Sequence, residues 1–234
     1  MKNLFFVFTL IFPTLLFSQL ELGFRAGLNM AEGSDLRATN GDVLEAARRN
    51  GITAGLFANI QLGKVLALQP EVTFSQKGFT ASWDTSDSTS TLNASYLDMP
   101  MMLEAGFAVG NRFRVYGNVG PNVSYLLEAE QKIYDALNGE STTIPYDFSE
   151  ESIERIDVGV NFGGGFSVRI NRWKYSFDAR YNMGLREIMA TNGTQDFVDK
   201  AKHRVRSISV GLSYFVFGGK KKLQDSSKNN RGYF

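Results

Sequence analysis

The segment Gly51–Phe79, GITAGLFANIQLGKVLALQPEVTFSQKGF, alternates apolar and polar residues in two runs joined at Gly63-Lys64. In the first run Ile52, Ala54, Leu56, Ala58, Ile60 and Leu62 share one face, opposite Gly51, Thr53, Gly55, Phe57, Asn59 and Gln61. In the second, Leu66, Leu68, Pro70, Val72 and Phe74 oppose Gln69, Glu71, Thr73, Ser75 and Lys77. A period of two belongs to strands with unlike faces, and the tight Gly-Lys junction makes the two runs a hairpin. The apolar face must then meet either a protein core or lipid.

The same alternation recurs along the chain. It predicts further strands at Leu20–Met30, Ala94–Phe107, Arg112–Leu127, Ile153–Ile170, Trp173–Met183 and His203–Phe217, eight in all. Short connections fall at Gly63-Lys64, Ala108–Asn111 and Asn171-Arg172, all at one end, where an even strand number also places both termini. Long polar connections alternate with them: Ala31–Asn50, Thr80–Asn93, Glu128–Ser152 and Arg186–Lys202. Asp42–Arg49 is expected to form a helical turn behind an Asp cap. The expected fold is all-β, an eight-stranded antiparallel up-and-down transmembrane barrel with short periplasmic turns and long extracellular loops. No helical crossovers separate the strands, which argues against a parallel α/β architecture.

Three features place the apolar face in lipid. Glycines gather on the polar face (Gly23, Gly27, Gly55, Gly106, Gly120, Gly159, Gly163, Gly165 and Gly211), where the narrow lumen of eight strands needs room for larger neighbours. That face mixes charges: Arg25, Lys77, Arg112, Arg114, Arg155, Arg169, Lys174 and Arg180 against Glu21, Glu71, Asp98, Glu104, Asp157 and Asp178. The apolar face carries Trp173, Tyr175, Tyr125, Tyr181 and Tyr214, several near strand ends, as interfacial aromatics do. Pro70, Pro100 and Pro121 each remove a ladder donor, so bulges or local breaks are expected beside them.

Domain organisation follows. Residues 1–18, MKNLFFVFTLIFPTLLFS, read as a signal peptide cleaved before Gln19, and residues 19–217 as the barrel. Residues 218–234 read as a disordered, basic periplasmic tail, whose Lys220-Lys221-Lys222 run is a candidate contact for a periplasmic partner. The apolar start is shorter than the roughly 20 residues of a helical span. A mean hydropathy of -0.17 excludes a helical multi-span protein. Absence of Cys excludes disulfides and thiolate metal sites. Without Lys2 and the tail, the barrel region carries a side-chain charge of about -4. That balance is not a nucleic-acid surface.

The candidate site is a lumen charge network of Arg25, Glu71, Asp178 and Arg180 near mid-depth, with Glu104 and Arg114 nearer the turns. Eight strands leave an interior that side chains can fill, and isolated buried charges are costly, so pairing is expected, with Glu71 paired to an Arg. A charged selective pore is the alternative use of the same residues. His203 is the only His, with Asp199 and Ser207 near it, and a membrane-embedded hydrolase would have to be built on it. No GxSxG or HExxH motif supports catalysis, so no catalytic residue, metal or cofactor is assigned. Glu128–Glu154 holds eight acids against Lys132, but without EF-hand spacing it reads as a solvated loop.

The segments Phe24–Ala31 (FRAGLNMA), Gly55–Phe79, Tyr96–Phe107 (YLDMPMMLEAGF), Val115–Leu127 (VYGNVGPNVSYLL) and Ile156–Val168 (IDVGVNFGGGFSV) together resemble the PorT-like outer-membrane β-barrel proteins of the Bacteroidetes, small barrels of OmpA/OmpX-like architecture. The resemblance spans nearly the whole chain after residue 18. It implies an integral outer-membrane, non-enzymatic protein in contact with lipid, with a structural or transport- and secretion-associated role. Secretion or periplasmic proteins would be its partners. A passive small-solute pore is the second reading.

Overall fold

The computed structural model describes residues 19–37, 46–83, 86–135, 138–145, 155–185 and 200–217. Its strands are β1 (Leu20–Arg37), β2 (Ala46–Gln61), β3 (Leu66–Trp83), β4 (Ser86–Val109), β5 (Phe113–Asp135), β6 (Glu140–Pro145), β7 (Ile156–Ile170), β8 (Trp173–Gly184) and β9 (Lys200–Phe217). Every pairing is antiparallel. β9 returns to β1 from Leu20↔Phe217 to Arg37↔Lys200, and β5 pairs with both β4 and β7. The result is a closed ring of eight strands. Closure leaves no edge, so backbone donors and acceptors find partners within the sheet, as a bilayer core requires.

At the long-loop side β1, β2, β3, β4, β5 and β9 outrun their predicted ends, while β7 begins at Ile156, three residues after its predicted start. Ala46–Arg49, expected in a helical turn, instead extend β2, with Ala47 opposite Thr80 and Arg48 opposite Phe79. A single helical turn has a costly nucleus, and a neighbouring strand offers ladder partners at once. Much of the expected loops Thr80–Asn93 and Glu128–Ser152 is likewise sheet. Beyond Tyr125, β5 leaves β7 and pairs with β6, a ninth strand outside the ring. The signal was Asn138-Gly139, a hairpin dipeptide whose Gly takes φ 67°. Glu130, Asp135 and Glu140 therefore lie on this hairpin, and Glu128 lies on β5 opposite Ser95 of β4. Asp147, Glu150, Glu151 and Glu154 lie outside the described residues, as do the proposed signal peptide, the tail and Asp42–Glu45.

The prolines break the ladder without a bulge. Register runs unshifted past each one, but two residue pairs drop out beside Pro70 between β2 and β3, beside Pro100 between β3 and β4, and beside Pro121 between β4 and β5. Because Pro70 neighbours Met101 and Pro100 neighbours Asn122, the three gaps form one oblique seam.

The outer face is apolar. Leu22, Phe24, Leu28, Leu56, Val72, Val119 and Phe162 are exposed, Leu56 by 69%. At the turn end Trp173 meets Tyr214 edge-on with ring centroids 5.1 Å apart, and Arg172 Nη1 donates to the Tyr214 hydroxyl at 3.0 Å. At the loop end Arg155 Nη1 donates to the Tyr125 hydroxyl at 3.2 Å. Arg155, expected among the lumen charges, is thus at the outer rim. From Phe113 to Tyr125, at about 3.3 Å per residue and a tilt of about 40°, β5 rises about 30 Å. That covers the apolar band of an outer-membrane barrel, about 25 Å tall.

Candidate functional site: the lumen

Large inward side chains sit beside glycines. Arg25 of β1 lies between Gly55 and Gly211, Arg180 of β8 beside Gly163, Asp178 beside Gly165, and Phe57 beside Gly23. Gly23 shows why. A Cβ there would come within 2.6 Å of the Phe57 ring and of the Leu212 carbonyl. With the space open, Phe57 lies flat enough for the Arg25 guanidinium to stand 4.9 Å over its ring.

These side chains converge into a ring of alternating charge. Arg180 Nη1 donates to both Glu71 oxygens at 3.0 Å, and its Nη2 lies 3.5 Å from Asp178 Oδ1. Arg25 closes the ring, with Nη1 3.3 Å from Glu71 Oε1 and Nη2 3.5 Å from Asp178 Oδ2. The two arginines differ in kind. The Arg180–Glu71 contact is aligned as a hydrogen bond. Arg25 Nη1 and Asp178 Oδ2 have no aligned partner, so their contacts are Coulombic only. Asp178 is 1% exposed, which makes the pairing a desolvated one.

Amides tie the ring to the turn end. Gln69 Nε2 donates to Glu71 at 2.7 Å, and Asn59 Nδ2 donates to Gln69 at 2.8 Å and to Glu104 at 3.3 Å. Glu104 in turn holds Arg114 Nε at 3.2 Å. Arg114 Nη1 and Nη2 reach the carbonyls of Lys64 and Val65 at 3.3 and 2.9 Å, pinning the β2–β3 turn. Toward the loops, Lys77 pairs with Asp98 at 2.8 Å and stands 4.6 Å over the Tyr96 ring. Beyond it the buried residues become apolar: Phe79, Leu92, Ala94, Tyr96, Leu126 and Ala129.

The lumen is thus graded along its axis. An apolar tier lies at the loop end, the ion ring lies at the centre, and a cavity of about 710 Å³ opens at the turn end. A smaller cavity of about 60 Å³, lined by Arg25, Glu71, Lys77 and Arg180 among others, sits on the loop side of the ring. Glu21, Arg169 and Lys174, on the lumen face by their alternation but not in the expected charge network, form a second cluster at the turn end. Glu21 binds Lys174, lies 3.9 Å from Arg169 and accepts from Ser213 at 3.1 Å.

His203 pairs through its backbone with Gly33, and its side chain and Asp199 lie outside the described residues. Ser207, opposite Arg180, sits four positions further along β9 than His203, so the backbones of His203 and Ser207 are separated by about 13 Å. Among the described residues no group of three His, Cys, Asp or Glu gathers as a metal site.

The family description "Outer membrane protein beta-barrel domain" matches residues 14–190, three quarters of the chain. The protein belongs to that family. It is an outer-membrane β-barrel protein, integral to the membrane and in contact with its lipid. The family match reaches across the ion ring up to Arg180 but stops before β9, which supplies the closing pairs with β1. Among curated proteins nothing matches. Three solved barrels are similar in outline. Neisserial surface protein A is 13% identical, over 82% of this chain and 96% of its own, with a TM-score of 0.40. OprG from Pseudomonas aeruginosa is 12% identical, over 83% and 95%, with a TM-score of 0.49. The outer membrane protein AlkL in lipid bilayers is 15% identical, over 85% and 90%, with a TM-score of 0.49.

Proposed function

We propose that this outer-membrane protein is a closed, non-conducting scaffold of the PorT-like kind, without enzymatic activity, that works in secretion or transport through protein partners. Its short turns and both termini face the periplasm in this reading, and the long hairpins face outward. The observation that carries it is the ion ring. Arg25, Glu71, Asp178 and Arg180 meet from three strands on different sides of the barrel and leave no charge over. Four paired side chains across a lumen as narrow as eight strands allow amount to a plug. The apolar tier above the ring adds a second obstruction.

Two measurements test the proposal. Purified protein in planar bilayers should give no stepwise conductance, and affinity purification from native outer membranes should recover a stable partner. Steady single-channel currents would favour the second reading, a passive small-solute pore. The open turn-end cavity and the unaligned contacts of Arg25 are what favour that alternative.

A further inference from the structure

Within the turn-end cavity, like charges stand side by side. The backbone N–H of Arg169 on β7 donates to the carbonyl of Arg112, just before β5, at 2.9 Å. On its other side Arg169 is the direct cross-strand partner of Lys174 on β8. Three cations therefore occupy one row across three neighbouring strands, and all three line the cavity with Lys64 and Arg114. Like charges directly opposite one another weaken a sheet.

The available acids offset only part of this row. Glu21 is the one acid in the lining and is already engaged by Lys174 and Arg169. Glu104, next to the cavity, is held by Arg114. The side chains of Lys64 and Arg112 have no ion pair or hydrogen bond among the described residues. Arg169 is braced from below, its guanidinium 3.6 Å over the Phe215 ring, which orients the fork without neutralising it.

We infer that this cavity is a binding site for a phosphate-bearing ligand with at least two negative charges. The row sets the valence. Adjacent strands are about 4.8 Å apart, so the three cations span about 10 Å, wider than one carboxylate can bridge. Guanidinium forks match phosphate oxygens in pairs, and Lys adds a point charge. A volume of about 710 Å³ suits a small-molecule ligand. The phosphate source is a soluble ester rather than a lipid headgroup, because the strand wall separates the cavity from lipid and its mouth opens along the barrel axis. The site does not depend on whether the lumen conducts.

The test is calorimetric titration of inorganic pyrophosphate into the full-length barrel in neutral, phosphate-free micelles. We expect saturable binding that weakens as salt rises. Arg112→Gln, a change at an exposed and unengaged side chain, should weaken it, and Arg112→Gln with Arg169→Gln should weaken it by about tenfold or more. Arg48→Gln, at the opposite end, should leave it unchanged. Heat-modifiable migration on gels verifies that each variant is folded. Phosphatidylglycerol added to the micelles separates the sources. Failure to compete supports a soluble ligand, and competition overturns that assignment in favour of a headgroup. No saturable binding, or binding unchanged in a folded Arg112→Gln/Arg169→Gln protein, overturns the site.

Discussion

Replacing Glu71 by Ala removes the acid on which both arginines converge. In the native ring two cations face two anions; after the change Arg25 and Arg180 share Asp178 alone, and one buried positive charge is uncompensated. Gln69 also loses its acceptor at 2.7 Å. Breaking a buried ion pair by deleting one partner costs about 3–5 kcal/mol, mostly the desolvation of the charge left behind. With a urea dependence of about 2 kcal/mol per molar, the unfolding midpoint should fall by about 2 M. Urea titration in neutral micelles, followed by heat-modifiable gel migration and tryptophan fluorescence, reads this directly. The double variant Glu71→Gln/Arg180→Gln separates charge from packing. It leaves Arg25 and Asp178 as a neutral pair, so it should lose clearly less stability than the sum of its parts. A Glu71→Ala barrel with an unchanged midpoint would refute the claim that the ring is held by charge.

Other expectations follow from the same geometry. Arg180→Gln should cost more stability than Arg25→Gln, because only Arg180 is aligned as a hydrogen-bond donor to Glu71; equal midpoints would mean alignment is irrelevant there. Gly23→Val should lower thermal stability by about 1–3 kcal/mol through overpacking against Phe57, and Gly23→Val/Phe57→Ala should recover part of the loss. Where β4 and β5 extend past the membrane band, the Asn93 amide donates to Glu130 at 2.7 Å and holds its carboxyl below the ordinary carboxylate range. A lowered folded-state value means that this contact adds stability above the unfolded carboxylate's range and loses it as pH falls through the folded one. In Asn93→Ala the NMR titration of Glu130 should move up toward the ordinary value; an unmoved curve would remove the amide as the cause.

The barrel was legible because its signal is local and repeats. An alternation such as Ile52–Leu62 declares a strand with two unlike faces wherever it occurs, and the glycines beside Arg25, Arg180 and Phe57 could be seen clustering on the polar side. The strand ends were less legible. Residues after Met30, Phe79 and Leu127 read as polar loop, since beyond the membrane band both faces of a strand meet water and the alternation fades. There, backbone pairing alone decides how far the sheet continues. Arg155 shows the same limit, because its parity on the polar face does not say that it stands at the rim beside Tyr125.

What the sequence determined by itself was therefore the period, the end at which the short turns gather, and which residues share a face. Each depends on neighbours a few positions apart. Partner choice was left to the tertiary structure. Glu71 and Arg180 are separated by 109 positions, and only the closed register of β1 with β9 brings them and Arg25 to one depth. The row of Arg112, Arg169 and Lys174 is local only in part: Arg169 and Lys174 face each other across the short β7–β8 turn, while Arg112, 57 positions earlier, reaches the row through the pairing of β5 with β7. Charge acts through space at a few ångströms, so which charges meet is a property of the closed barrel and not of any segment of it.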